Sequence, residues 1–266
     1  MGTDEVLPPV SPDRLANAVG PMSAGPSRDR CLCVGYSVQT RPAAVSFHDE
    51  VQDTRAVGWL RLLALIEEAA ADRRPVFTPF VELSAAERRQ IITLPTTIAT
   101  LTSVEHLGLY GTNLVRIPPE IGSMASLKNF DPYTSHRLHW YPYELTRCVL
   151  LADSRVSTRA LYGNFKFRPP FPALRPVTAA RDVDLSALDP GVWGAEAVRS
   201  CSVCYGPVDR ELRQVWISIA VGTDVFPFLV NACSAVCVAD LPTPEHGYIP
   251  TPHTGGPDIA QPASWR

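Results

Sequence analysis

Four cysteines near the C-terminal end of the chain have the spacing of metal ligands. Cys201 and Cys204 are separated by two residues, and after a gap of 28 residues Cys233 and Cys237 form a second pair, separated by three. Two close pairs of thiolates with a medium gap between them are typical of a tetrahedral zinc site. Because four thiolates leave no coordination position open for water, we expect a structural Zn²⁺ ion and no catalytic metal.

Two other states of these cysteines stay open at the level of the sequence. The four side chains could be buried reduced thiols without a metal, or they could form disulfides or a redox pair. Zinc is favoured because clustered cysteines in a reducing compartment are more often metal ligands. Since the segment between the pairs is too small to bury much of a core, we expect metal binding to supply much of the folding free energy of residues 199–241.

A β-hairpin is predicted between the two cysteine pairs. Gln214–Val221 and Val225–Val230 have the composition of strands, and Gly222–Asp224 is typical of a turn. The hairpin therefore brings the second cysteine pair back towards the first.

A short helix is expected after the hairpin, capped by Asn231 or Ser234. It places Cys233 and Cys237 four residues apart on one helix face. The order of cysteine pair, hairpin and helix start resembles a treble-clef zinc finger. The second pair departs from that pattern, because its spacing is three residues where two is commoner.

An apolar pattern recurs along residues 94–161, first after 23 residues and then after 24. The recurring positions include Leu94-Pro95, Ile117-Pro118 and Tyr141-Pro142, and likewise Val104, Leu127 and Leu151. A period of 20–29 residues with an apolar ladder is typical of leucine-rich repeats. Each copy predicts a short strand, a turn and a loop or short helix, and the copies stack because none can bury its own apolar face.

The repeats predict three parallel strands, near Glu105–Leu109, Lys128–Pro132 and Ala152–Val156. A set of apolar side chains is expected to point inward from them and from the segments that follow: Leu107, Leu109, Leu114, Ile117, Ile121 and Leu127. The predicted fold class is therefore α/β, with a short leucine-rich repeat solenoid, an N-terminal capping helix and a small hairpin-and-helix module similar to a zinc finger.

The segment IPPEIGSMASL resembles leucine-rich repeats of bacterial and plant intracellular proteins. The segments YPYELTRC and STRALYGNFKFRPPF are similar to parts of bacterial proteins that join such repeats to a C-terminal cysteine cluster. This resemblance implies a bacterial interaction module. The function we favour is a protein-recognition scaffold, whose partner is another protein.

A recognition surface follows from the alternation of side chains along the strands. The residues between the inward-pointing leucines face the concave side, and we expect them to contact the partner: His106, Tyr110, Asn129, Asp131, Tyr133, Asp153 and Arg155. Tyr110 and Tyr133 occupy equivalent repeat positions and are expected to stand in one row. Exposed tyrosines in a row are typical anchors for a protein partner, although they could also serve only to cover the sheet.

The chain divides into five predicted segments. Residues 1–50 are a partly disordered leader, residues 51–175 hold the N-terminal cap and the repeats, and residues 176–198 are a linker. Residues 199–241 form the zinc module, and residues 242–266 are a tail rich in proline and glycine, expected to lie extended on the surface or to be disordered. The capping helix is predicted from Thr54 to Arg73, with Thr54 as its cap.

Charge argues against a nucleic-acid partner. The net charge is −3, and residues 199–241 carry three arginines against four carboxylates, which gives no electrostatic footprint for phosphates. One alternative stays open, a nucleic-acid-associated protein that uses the zinc module and the stretch 155–171, where cations alternate with aromatic side chains.

Membrane binding and catalysis are also not indicated. No stretch approaches the roughly 18 apolar residues of a membrane span, and no phosphate-binding loop or nucleophile elbow is present. We therefore expect a cytoplasmic protein without enzymatic activity; an enzyme with its site between the repeats and the zinc module is the weaker third reading.

Overall fold

The computed structural model describes residues 45–48, 50–174, 200–208 and 212–264, in a mixed α/β arrangement with few helices. The helices are α1 (Val57–Asp72), α2 (Ala85–Arg89) and α3 (Ala235–Ala239), and 3-10 helices span Pro79–Val81, Thr96–Thr100, Pro119–Ser123, Tyr143–Arg147 and Thr158–Ala160. The strands are β1 (Val76–Phe77), β2 (His106–Gly108), β3 (Asn129–Asp131), β4 (Tyr141–Pro142), β5 (Asp153–Ser154), β6 (Arg213–Val221) and β7 (Asp224–Ala232). The predicted linker 176–198 and nearly all of the predicted leader 1–50 lie outside the described residues.

The recurring segments lie side by side as the parallel strands β2, β3 and β5, and β1 extends this sheet at the β2 edge in the order β1-β2-β3-β5. His106 pairs with Asn129 and Asn129 pairs with Asp153, so the register follows the 23-residue and 24-residue offsets of the sequence. The three predicted strand positions are thereby confirmed. The six side chains expected to point inward are each at most 1% exposed: Leu107, Leu109, Leu114, Ile117, Ile121 and Leu127.

The capping helix α1 packs against the N-terminal end of this array. It begins at Val57 after Ala56, which has extended backbone angles and makes no side-chain cap, so the prediction of Thr54 as the cap was wrong. The helix ends as predicted near Arg73, whose left-handed backbone lets its N–H reach the carbonyls of the last turn. The short helix α2 carries a reciprocal capping box between Ser84 and Glu87.

The predicted hairpin is present as a second, mixed sheet with the order β4-β7-β6. Strands β6 and β7 pair antiparallel from Arg213 and Ala232 to Val221 and Asp224. Asp224 therefore belongs to the strand and not to the turn. The turn is shorter than predicted because Gly222 adopts a φ of +63°, which lets a two-residue loop match the twist of the strands.

The hairpin shares its core with the repeats. Strand β4 of the repeat region pairs in parallel with β7, and the ring of Tyr141 lies 5.9 Å from that of Phe130 and 4.8 Å from that of Phe226. One buried apolar cluster runs from α1 through the repeats into β6, β7 and α3. The hairpin is therefore stabilised by apolar burial, contrary to the expectation that it is too small to bury much of a core; that metal binding supplies much of the folding free energy of residues 199–241 stays a prediction.

The tail packs along the outer strand β6. Trp216 and His253 exchange backbone hydrogen bonds of 2.7 and 3.1 Å, and Ile249 is buried in a second apolar cluster around Trp216. These contacts hold an irregular, proline-rich segment against the sheet, which its composition alone does not predict. Within the described ranges, none of the helices combines the length and the apolar character that crossing a membrane requires.

Candidate metal centre

The four cysteines predicted as ligands meet at the base of the hairpin. The Sγ atom of Cys233 lies 3.6 Å from that of Cys204 and 3.6 Å from that of Cys237, and the four sulfur atoms lie within 4.8 Å of one another. A tetrahedral ion with metal–sulfur bonds of about 2.3 Å holds its sulfur atoms about 3.8 Å apart. The cluster is therefore close enough to bind a metal ion, and all four cysteines are free of disulfides.

The first pair lies on a tight loop that is closed by backbone bonds. The N–H of Cys201 donates to the carbonyl of Gly206, and the N–H of Tyr205 donates back to the carbonyl of Cys201. Tyr205 has a φ of +64°, a conformation that usually falls to glycine. This loop buries Cys201 and leaves Cys204 exposed.

Three backbone amides point at the sulfur of Cys201. The N–H groups of Val203, Cys204 and Cys233 donate to its Sγ over 3.4 to 3.5 Å. Burial raises the pKa of the Cys201 thiol, but these amide hydrogen bonds outweigh it and lower the pKa to about 7. The loop is therefore shaped to hold a thiolate, which is the form that binds a metal.

The second pair lies at the start of α3. Ser234 is the helix cap, and its Oγ accepts the N–H of Cys237 over 3.2 Å. Cys233 lies one residue before this cap, so the expectation that Cys233 and Cys237 share one helix face was wrong. Its position outside the helix allows the N–H of Cys233 to reach Cys201. The hydrogen bond with Cys204 raises the pKa of the Cys233 thiol to about 12, so the cluster holds protons that a metal displaces on binding.

A side chain from the repeats contacts the first cysteine loop. Arg147 ends the 3-10 helix Tyr143–Arg147, and its guanidinium donates to the carbonyls of Ser202 and Cys201 over 3.1 and 3.4 Å. Burial raises the pKa of the neighbouring Glu144, against the effect of its hydrogen bond with Ser202. Sequence reasoning missed these residues because they precede Cys201 by more than 50 positions and no local pattern links them to the cysteines.

The two tyrosines expected in a row lie beside each other in the turns that follow β2 and β3, on a face that is open to solvent. Tyr110 is 52% exposed and Tyr133 is 42% exposed, and their ring centroids are 6.0 Å apart. The backbone holds them in register, because the N–H of Gly111 donates to the carbonyl of Tyr133 over 2.9 Å. The two rings thus form one continuous aromatic surface.

The other residues expected to contact a partner lie on β2, β3 and β5 or directly after β5. His106 and Asn129 are half-buried, and Asp153 is exposed. The exposed Arg155 lies 3.9 Å from the carboxylate of Asp131, a loose ion pair. Asp153 accepts the hydroxyl of Thr223 at the tip of the hairpin, so the hairpin borders this face.

The stretch 155–171 is only partly accessible. Tyr162, Arg168 and Phe171 are buried, and the guanidinium of Arg168 donates to the backbone carbonyl of Gly163 over 2.9 Å. These three side chains contribute to packing. The accessible cations and rings of the stretch include Lys166, whose ammonium lies 5.3 Å from the ring centroid of Phe165.

No protein-family model, curated protein or solved structure matches this chain. The functional interpretation therefore depends on the geometry of the site. That geometry gives two separate features: a cluster of four cysteine sulfurs that a metal ion can bridge, and a pair of exposed tyrosines side by side beyond β2 and β3.

Proposed function

We propose that the chain is a non-enzymatic protein-recognition scaffold, in which the parallel strands are leucine-rich repeats of a short solenoid. The observation that carries this proposal is the pair of exposed tyrosines at equivalent positions just after the neighbouring strands β2 and β3, with ring centroids 6.0 Å apart. Burial of a large aromatic side chain against a partner stabilises the complex, and tyrosine is enriched among the residues that dominate the binding free energy. The partner is another protein, which contacts His106, Asn129, Asp131, Asp153 and Arg155 around the two rings.

The recognition face is tested by replacing both tyrosines with alanine. Both rings are largely outside the core, so Tyr110→Ala/Tyr133→Ala is expected to leave the melting temperature nearly unchanged. Capture of the partner, identified by mass spectrometry after a pull-down with the wild-type protein, is expected to fall at least tenfold. The matched control is Val149→Ala/Leu150→Ala, which removes two exposed apolar side chains from the turn before β5. Unchanged capture by the tyrosine variant contradicts the proposal.

The metal in the cysteine cluster is proposed to be Zn²⁺ with a structural role. Four thiolates suit zinc and exclude the open position that a catalytic zinc needs. A reducing compartment such as the cytoplasm keeps these thiols available for the metal. The order of cysteine loop, hairpin and α3 supports the comparison with a treble-clef zinc finger.

Elemental analysis of protein purified without chelator tests the zinc site. We expect about one zinc per chain for the wild type and a clear loss in Cys204→Ser, because one thiolate ligand is removed. Cys148→Ala is the control, since Cys148 is buried among the repeats and donates to the carbonyl of Ile121. A wild-type zinc content well below one per chain, with four freely titratable thiols in the folded protein, contradicts a zinc site.

A further inference from the structure

Arg147 joins the metal centre to the third repeat through two backbone carbonyls. Its guanidinium donates to Ser202 O over 3.1 Å and to Cys201 O over 3.4 Å. Only about a fifth of its side chain is exposed, so these bonds form away from bulk water. Hydrogen bonds from a charged donor are about twice as strong as those between neutral groups.

The carbonyl of Ser202 belongs to the same peptide group as the N–H of Val203. That N–H donates to the Sγ of Cys201 over 3.4 Å. In a trans peptide the C=O and N–H point in opposite directions. The guanidinium therefore contacts the oxygen side of this peptide group, while the N–H on its other side faces the sulfur of Cys201. Hydrogen bonds that share one peptide group polarise each other, and a positive charge at the oxygen makes the N–H a stronger donor to the thiolate.

We propose that Arg147 is a positioning residue of the metal centre: it orients and polarises the Ser202–Val203 peptide towards the thiolate of Cys201. This inference rests on the proposed zinc site. The partners behind the direct ligands fix ligand geometry and basicity, and their loss typically weakens metal binding 10- to 100-fold.

Two further contacts hold the guanidinium in place. The ring of Tyr205 covers it at 4.2 Å from the ring centroid, and Glu144 lies 3.8 Å away on the same 3-10 helix. Tyr205 belongs to the loop of the first cysteine pair, and Glu144 also bonds Ser202. The guanidinium is thus held between the repeats and the loop: its Nη2 atom makes both carbonyl contacts, and its planar face lies over the Tyr205 ring.

The experiment measures the zinc affinity of the full chain by competition with a chromophoric chelator at pH 7.5. Arg147→Ala is expected to bind Zn²⁺ 10- to 100-fold more weakly than the wild type. Arg147→Lys is expected to fall between them, because it keeps the charge but loses the planar guanidinium that lies over the Tyr205 ring. Arg159→Ala is the matched control: this guanidinium lies over the Phe167 ring, 5.9 Å from its centroid. The control is expected to bind zinc as the wild type does.

A second readout separates positioning from general packing. In the Co²⁺-loaded proteins, the sulfur-to-metal charge-transfer band is expected to shift in Arg147→Ala and to stay unchanged in Arg159→Ala. Wild-type zinc affinity in Arg147→Ala, with the circular dichroism of a folded chain, overturns the inference. A wild-type chain that binds no zinc overturns the proposed zinc site itself, which is a distinguishable result.

Discussion

His253 makes the stability of the fold depend on pH. Its imidazole is buried against the ring of Phe171, with the centroids 4.7 Å apart, and its Nδ1 accepts the N–H of Gly255 over 3.1 Å. Nδ1 therefore carries no proton in the folded chain. A second proton must break this bond and place a charge in an apolar site, and burial accordingly lowers the pKa of His253 to about 4.

The direction in which stability changes with pH follows from this lowered pKa. An unfolded histidine titrates near 6.5, so between pH 6.5 and 4 the unfolded chain binds a proton that the folded chain does not. The contribution of His253 to stability is therefore complete above pH 6.5 and is lost as the pH falls towards 4. Between pH 7.5 and pH 5.0 the loss amounts to about 2 kcal/mol of the free energy of unfolding.

The variant His253→Asn tests this reasoning, because the amide oxygen of asparagine can accept the N–H of Gly255 and does not titrate. Urea unfolding at pH 7.5 and pH 5.0 gives the pH-dependent loss for each protein. We expect the loss in His253→Asn to be smaller than in the wild type by about 2 kcal/mol. His246→Asn, which alters an exposed histidine of the same tail, is expected to behave as the wild type does.

Acid also protonates the cysteines, but it does so equally in the wild type, His253→Asn and His246→Asn. The difference in pH-dependent loss between these proteins therefore contains no contribution from the cysteines. The reasoning is refuted if His253→Asn loses as much stability between the two pH values as the wild type.

Two further predictions concern the repeats and the N-terminal cap. Leu107→Ala is expected to lower the free energy of unfolding by 2 to 5 kcal/mol, because Leu107 is fully buried between β1 and β3; Val149→Ala, at an exposed site, is its control. Ser84→Ala removes the acceptor for the N–H of Glu87 at the start of α2 and is expected to cost about 1 kcal/mol. Urea unfolding measures both, and a loss for Leu107→Ala no larger than for Val149→Ala contradicts the assigned core.

Much of the parallel sheet could be predicted because the apolar positions that form it recur periodically along the sequence. The 23-residue and 24-residue offsets predict which strands are neighbours and in which register, so His106, Asn129 and Asp153 could be aligned before the structure was known. The cysteine cluster was predictable for a similar reason. Two close pairs that flank a hairpin must meet at its base, whatever the rest of the chain does.

The contacts between distant segments could not be predicted in this way. Arg147 lies in a repeat and acts on a loop that begins at Cys201, and the tail residue His253 pairs with Trp216. Neither contact leaves a local pattern, because each depends on how the hairpin is oriented on the repeats. The cap of α1 was predicted wrongly for a local reason. Thr54 has a side chain that can cap a helix, but the helix begins only after Ala56.

The way in which the hairpin is attached decides what the metal can stabilise. At the tip, the Oγ of Ser154 accepts the backbone N–H groups of Thr223 and Asp224, both over 3.1 Å, and in the middle β7 pairs with β4. The cysteine cluster lies at the opposite end, where a bound metal would join the loop that begins at Cys201 to the start of α3. We expect loss of such a metal to loosen the loop that begins at Cys201, whereas apolar burial still holds the hairpin and α3 and strand pairing holds β7. Tyr110 and Tyr133 follow β2 and β3, which carry none of the four cysteines, so a metal bound in this cluster would leave the proposed recognition surface unchanged.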